Sequence, residues 1–359
     1  MDHSLKESRR QYSSKVKEDF PEALSFGDSR FNKKISMRYG ENPGTPAAFY
    51  EEDGASGTTM AGFEVLQEGT KGLSYINVAD MDLGQRLIRR LSLLSAGKKA
   101  CVLIKHEMPS AAALGGSEVE TFEKAWNSDP LSNFGSVDIF NHIVTADLAE
   151  RLVESARNVE VIYAPGYSSE ARGILAGRKS LRVVRMAAPV EEAPSDNGLE
   201  FKRVAGGLLL QKRRETRIDS AAMVDVVSKR TPNPAEVSAA LLAWNVACYT
   251  RSNAVVIGMP DKVHGIGSGQ RSRIDAADCA IRFSRRGYGP EGCFMASDAF
   301  MPFPDVVELA ARSGITGIIY PLGSVRDREV IDRADELGLA MVVTRRPGET
   351  DCERCFLHR

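Results

Sequence analysis

Short apolar runs recur along this chain: Val102-Leu103-Ile104, then residues 137–140 (VDIF), 159–163 (VEVIY), 254–258 (AVVIG), 317–320 (GIIY) and 340–344 (AMVVT). Each is too short for a helix and rich in β-branched side chains, so each suits a buried strand. Between them lie longer stretches with apolar residues at helical spacing, at 81–94, 146–156, 234–250 and 328–337. Strands that alternate with helices have few ways to bury both. They form mixed sheets with helices on their faces, an α/β architecture. A chain of 359 residues also exceeds what one hydrophobic core usually serves, so two domains are expected. Residues 189–197 are rich in Pro, Glu, Ser and Asp without periodicity, which suits a linker or a loop near the boundary. The first 25 or so residues read as a charged arm, with no recognisable chemistry.

Composition excludes several functions. The net charge is −1, which argues against a nucleic-acid footprint or a membrane-surface patch. No apolar run approaches the ~20 residues of a membrane-spanning helix, and the polar N-terminus lacks the apolar core of an export signal. Six cysteines without framework spacing fit a reduced cytoplasm better than a disulfide scaffold. Cys352, Cys355 and His358 lie three apart, a spacing that suggests zinc. A zinc nucleobase deaminase, however, needs H-x-E and P-C-x-x-C. Here His106 and Glu107 are adjacent and no proline precedes Cys352, so no metal site is expected.

Candidate chemistry gathers at a few places. Lys105 and His106 end an apolar strand just before Pro109. A cation and an imidazole there can face a cleft, and histidine exchanges protons near neutral pH, although an isolated pair of this kind is more often structural. Arg38 lies in a loop marked by Gly, Asn and Pro and offers a planar fork for phosphate or carboxylate. Residues 75–78 read as a short strand leading into the 81–94 helix, and 129–135 as a turn-rich loop. Glu160 stands at the edge of an apolar run, and Asn253 directly before one. Gly265-Ile266-Gly267-Ser268-Gly269 resembles a phosphate-cradling turn. It lacks the Walker lysine and the dinucleotide glycine spacing, so a turn before a helix is the better reading. Residues 296–305 interleave aromatic and acidic residues around prolines, as a wall for a flat ring would.

In order, RYGENP, SYIN, IKH-x-x-P, SNFG, EVIYAPGY, FKRVAGGLLLQ, SNAVVIG, GIGSGQRSR, ASDAFMPFPD and the terminal Arg-x-Phe-x-His resemble the transformylase domain of the bifunctional purine-biosynthesis protein. That domain is the aminoimidazole carboxamide ribonucleotide (AICAR) formyltransferase. The resemblance spans roughly residues 30 to 359, without the inosine monophosphate cyclohydrolase domain that precedes it in typical members. It implies an arm at 1–29 and two subdomains, 30–200 and 201–359. It also implies a fold of two cytidine-deaminase-like three-layer α/β/α halves without zinc. The implied activity is formyl transfer from 10-formyltetrahydrofolate to the 5-amino group of AICAR. A homodimer with shared active sites is implied as well, and some relatives suggest a structural potassium ion. His106 matches the family's general base, Lys105 its cationic partner, and Asn253 the asparagine that orients them. Arg38, Tyr39, Asn77, Gly135, Glu160, Phe300 and Arg354 fall on nucleotide-contact positions. Arg273, Ile274, Pro302, Phe303 and Asp305 fall on folate positions. The chain departs from the pattern at Gly44-Thr45, in the loop Met108-Pro109-Ser110-Ala111, at Pro304 and in its tail at Leu357 and Arg359. These departures leave two alternatives, a related transferase with another donor or substrate and a non-catalytic nucleotide-binding homologue.

Overall fold

The computed structural model describes residues 18–57, 59–94, 97–154, 158–190, 199–212 and 218–344. The tail with Cys352, Arg354, Cys355 and His358, and most of the 189–197 stretch, lie outside the described residues. A three-stranded antiparallel sheet comes first: β1 (Ala23–Phe26), β2 (Ser29–Ser36) and β3 (Ala48–Glu52). Two runs of one plan follow. The first is β4 (Glu64–Gln67), α1 (Tyr75–Leu94), β5 (Lys99–Lys105), β6 (Met108–Gly115), α2 (Glu118–Trp126), the short α3 (Pro130–Asn133), β7 (Val137–Phe140), α4 (Ala146–Leu152), β8 (Val161–Ala164), α5 (Ser169–Ala176) and β9 (Arg182–Arg185). The hairpin β10 (Leu199–Val204) and β11 (Gly207–Lys212) separates the runs. The second is β12 (Asp225–Val226), α6 (Pro234–Ala247), β13 (Val255–Met259), β14 (Lys262–Gly267), α7 (Arg273–Ser284), β15 (Phe294–Ser297), α8 (Asp305–Arg312), β16 (Gly317–Tyr320), α9 (Asp327–Leu337) and β17 (Ala340–Val343).

Both runs enter one twelve-stranded sheet, in the order β12-β17-β16-β15-β13-β14-β6-β5-β7-β8-β9-β4. Each half has an antiparallel hairpin at the centre, an antiparallel neighbour, two further strands in parallel, and a short antiparallel strand at the edge. The halves meet where Lys262 pairs with Ala113 and Val263 with Ala112.

Three layers result, because side chains of the central strands alternate between two buried faces. Val102 and Ile104 pack with Leu87 and Leu91 of α1 and with Leu242 and Val246 of α6. Cys101 and Leu103 pack on the other face with Phe122, Leu148 and Leu175, from α2, α4 and α5. In the second half Val255 and Ile257 face Ala276, Val306 and Val330, from α7, α8 and α9. Burial on both faces is why these strands read as continuous apolar runs. Helix α6 is apolar nearly all round and is buried accordingly. Its start is fixed by a reciprocal cap between Asn233 and Glu236.

Three local expectations are corrected. Residues 75–78 open α1 rather than forming a strand, because Ser74 and Asn77 cap the helix reciprocally. The Asn77 N–H donates to Ser74 Oγ at 3.2 Å and the Ser74 N–H to Asn77 Oδ1 at 3.1 Å. Residues 108–111 are not a loop but the start of β6, paired with β5. Gly265 and Gly267 lie in β14 rather than in a turn before the helix. A Cβ on Gly267 would stand 1.9 Å from the Ala276 carbonyl oxygen of α7, so glycine lets that helix lie directly on the strand. Only Gly269, with φ +68°, belongs to the turn, and Ser272 then caps α7.

Candidate active site

The β5–β6 register pairs Lys105 with Met108, leaving His106 and Glu107 alone as a two-residue turn. Both have positive φ, 55° and 57°. Such hairpin turns require positive φ at both central residues and are usually built with Asn-Gly or Asp-Gly. Side chains without that tolerance cost roughly 1–2 kcal/mol per residue in the left-handed region. The turn is tied from beneath: the Glu107 N–H donates to Asp80 Oδ1 at 2.5 Å. Asp80 is 3% exposed and lies one helical turn beyond Asn77 on α1. Burial pushes its pKa up to about 7. The backbone N–H groups of Glu107 and His106 oppose this rise, and the carboxylates of Glu107 and Glu160 add to it.

Around this turn the first half collects most of the residues singled out from sequence. Lys105 Nζ donates to the Phe134 carbonyl, beside Gly135, whose φ is +85°. Asn77 Nδ2 donates to Glu160 Oε2 at 3.3 Å. Arg182 pairs with the same oxygen at 3.8 Å and donates through Nε to the Gly72 carbonyl at 3.0 Å. Arg38 and Tyr39 are buried against the start of α1. The Arg38 N–H donates to the Leu73 carbonyl and the Tyr75 N–H to the Tyr39 carbonyl, both at 3.1 Å. The Arg38 guanidinium lies 4.1 Å over the Tyr39 ring and donates to its hydroxyl. One end of the sheet positions all of them, since β5 finishes at Lys105 where β7, β8 and β9 begin at Val137, Val161 and Arg182. Burial pulls the Arg182 guanidinium below its usual range; Glu160 opposes this and the Arg38 charge adds to it.

A second group stands on the other half. Asn253 Nδ2 donates to the carbonyls of Gln270 at 2.9 Å and Arg271 at 3.2 Å. Arg273 donates to Asn253 Oδ1 at 2.8 Å and to Ser297 Oγ at 2.9 Å, and it pairs with the buried Asp298. Ile274 is half-buried on α7, and Phe300 and Pro302 are half-buried before α8. Phe303 is exposed, under the Arg326 guanidinium at 4.9 Å. Asp305 accepts the Val306 N–H. The two groups approach at Ser268, whose hydroxyl donates to Met108 Sδ at 3.1 Å. A cavity of about 310 Å³ opens there, walled by Lys105, His106, Met108, Pro109, Ser132 and Ser268. Arg354 lies outside the described residues.

The model of the AICARFT/IMPCHase bienzyme family matches residues 4–283 of this chain. The chain belongs to this family. Its members are enzymes of purine biosynthesis with formyltransferase or cyclohydrolase roles. A solved structure described as a formate dehydrogenase accessory protein from Desulfotalea psychrophila is 10% identical. The similarity covers 46% of this chain and 96% of that one, at a TM-score of 0.23, a likeness too low to bear on function. Among the described residues, no group of three or more His, Cys, Asp or Glu could hold a metal ion, and no helix is long and apolar enough to cross a membrane.

Two residues of the first group went unread in the sequence, Asp80 and Arg182. Asp80 had a usable signal. It lies three residues after Asn77, and a helix begun at Tyr75 places both on one face. Arg182 had none, because its place depends on β9 lying beside β8.

Proposed function

We propose that this chain transfers a formyl group from 10-formyltetrahydrofolate to the 5-amino group of AICAR, giving formyl-AICAR and tetrahydrofolate. The observation that carries the reading is the lip of the cavity, where Lys105 and His106 stand together in a chain of the AICARFT/IMPCHase family. The amine is a weak nucleophile because its lone pair is delocalised into the ring and carboxamide. His106 removes its proton as the new N–C bond forms at the formyl carbon. Lys105, held by the Phe134 carbonyl, stabilises charge on the tetrahedral oxygen. The bond from carbon to the folate nitrogen then breaks, and the proton on His106 passes to that nitrogen. Arg38 and Arg354 are the phosphate ligands in this reading, and Asn77 and Glu160 hold the ribonucleotide. Asn253 orients the reacting groups, while Ile274, Pro302 and Phe303 line the folate.

The same reading takes the active site to be shared across a homodimer in the cytoplasm. The β10–β11 hairpin fits the same picture, since it exposes Leu199, Leu208, Leu209 and Leu210; a second copy would cover them. A related transferase with another formyl donor is the second reading. It is favoured by Met108 and Ser110, which depart from the family pattern and wall the cavity. The test is turnover of purified protein with AICAR and 10-formyltetrahydrofolate, read by mass spectrometry. His106→Ala should lower the rate by about 10²–10⁴-fold while the protein stays folded. Full activity in that variant removes His106 as the base. Turnover only with a different formyl donor decides for the second reading.

A further inference from the structure

We infer that Asp80 is a positioning residue for His106, its carboxylate holding the two-residue turn in the one backbone state that aims the imidazole at the substrate. The turn does not hold itself. Neither His106 nor Glu107 is a glycine, yet both stand at positive φ, where L-residues pass readily to negative φ if nothing opposes it. A flip of that kind swings the His106 side chain away from the cavity lip. What opposes it is the Glu107 N–H bonded to Asp80 Oδ1 at 2.5 Å. The bond comes from a helix locked at its start by the Ser74–Asn77 cap. A neutral acceptor would serve a purely structural tie at less cost. Asp80 is instead a buried carboxylate facing the acids Glu107 and Glu160. Strain retained at a functional residue together with an ionisable group buried beneath it is the pattern expected where geometry is held for chemistry.

The consequence for rate rests on the formyl-transfer reading, whereas the consequence for the turn does not. The experiment therefore has two arms, run on the full chain as Asp80→Ala and Asp80→Asn. Asparagine keeps one acceptor oxygen but turns an N–H₂ toward the second backbone donor, so it rescues in part; it also serves as the folded variant if alanine does not fold. In the first arm, hydrogen exchange of the Glu107 amide should quicken at least about tenfold in Asp80→Ala and less in Asp80→Asn. In the second, kcat should fall about a hundredfold in Asp80→Ala, with KM for the ribonucleotide nearly unchanged and partial recovery in Asp80→Asn. Unchanged Glu107 exchange in a folded variant overturns the inference. A loss expressed wholly in KM also overturns it, since that would make Asp80 a binding residue. If the wild-type protein transfers no formyl group to AICAR, that reading falls alone and the exchange arm still decides the role of Asp80.

Discussion

Arg273 reaches back from the first turn of α7 to donate to Asn253 Oδ1 across 2.8 Å, while its other terminal nitrogen serves Ser297 and the fully buried Asp298. One planar fork thus fixes the amide orientation of Asn253 and neutralises a carboxylate in the core. Removing it as Arg273→Met leaves Asp298 with the Ser252 hydroxyl and no cation, which costs about 3–5 kcal/mol. Arg273→Lys keeps the charge but not the fork and falls between. The double variant Arg273→Met, Asp298→Asn recovers much of the loss. Urea unfolding of the three proteins, compared by midpoint at equal slope, is the check.

Gly267 and Gly292 make a matched pair for a packing prediction. A Cβ at Gly267 meets the backbone oxygen of Ala276 at 1.9 Å, whereas Gly292, at φ +74°, has nothing within 4 Å of its would-be Cβ. Gly267→Ala must push α7 off β14 and destabilises by about 3 kcal/mol or more. Gly292→Ala bears only backbone strain, about 1 kcal/mol. Thermal unfolding of the two variants should rank them in that order, and equal losses would contradict the close helix–strand approach.

Asp80 gives the fold a pH dependence with a definite sign. Burial raises its pKa to about 7 in the native state, above the roughly 3.9 of an unfolded aspartate. Between those values the native protein binds the extra proton, so stability falls as pH rises through this window. The loss is complete above the native value. Asp80→Asn removes this contribution. The variant should therefore gain on the wild type from pH 4.5 to pH 7.5, by a few kcal/mol at most, and the difference should level off beyond. Melting temperatures of both proteins at three pH values across the window test it, and a constant difference would mean that the carboxyl does not titrate there.

What the sequence disclosed follows from what each residue faces. The runs at 137–140 and 317–320 are strands with the bounds read from them, because both of their faces are buried. The start of α6 was legible because Asn233-Pro234 is a cap that needs no tertiary partner. Strand β2, SRFNKKIS, escaped notice because it is mostly half-exposed and mixes charge with apolar residues. The repeat of one plan in both halves came only from the family resemblance, being carried by topology rather than by like residues. At the site, Lys105 and His106 stand out as the charged end of an apolar run, and only the ordered set of motifs gives them a role. Their turn geometry could not be read, since nothing in Lys-His-Glu-Met announces two positive φ angles.

The sheet also has ends. At one side it closes on β12, only two residues long. At the other it closes on β4, four residues interrupted by a bulge between Val65 and Gln67. An incoming strand would find few backbone donors and acceptors in register at either margin. Twelve strands laid side by side would otherwise be an open template for a thirteenth from a neighbouring molecule. Here the margins are blunted, so the large sheet resists growth by strand addition, and recognition of other molecules falls to side chains.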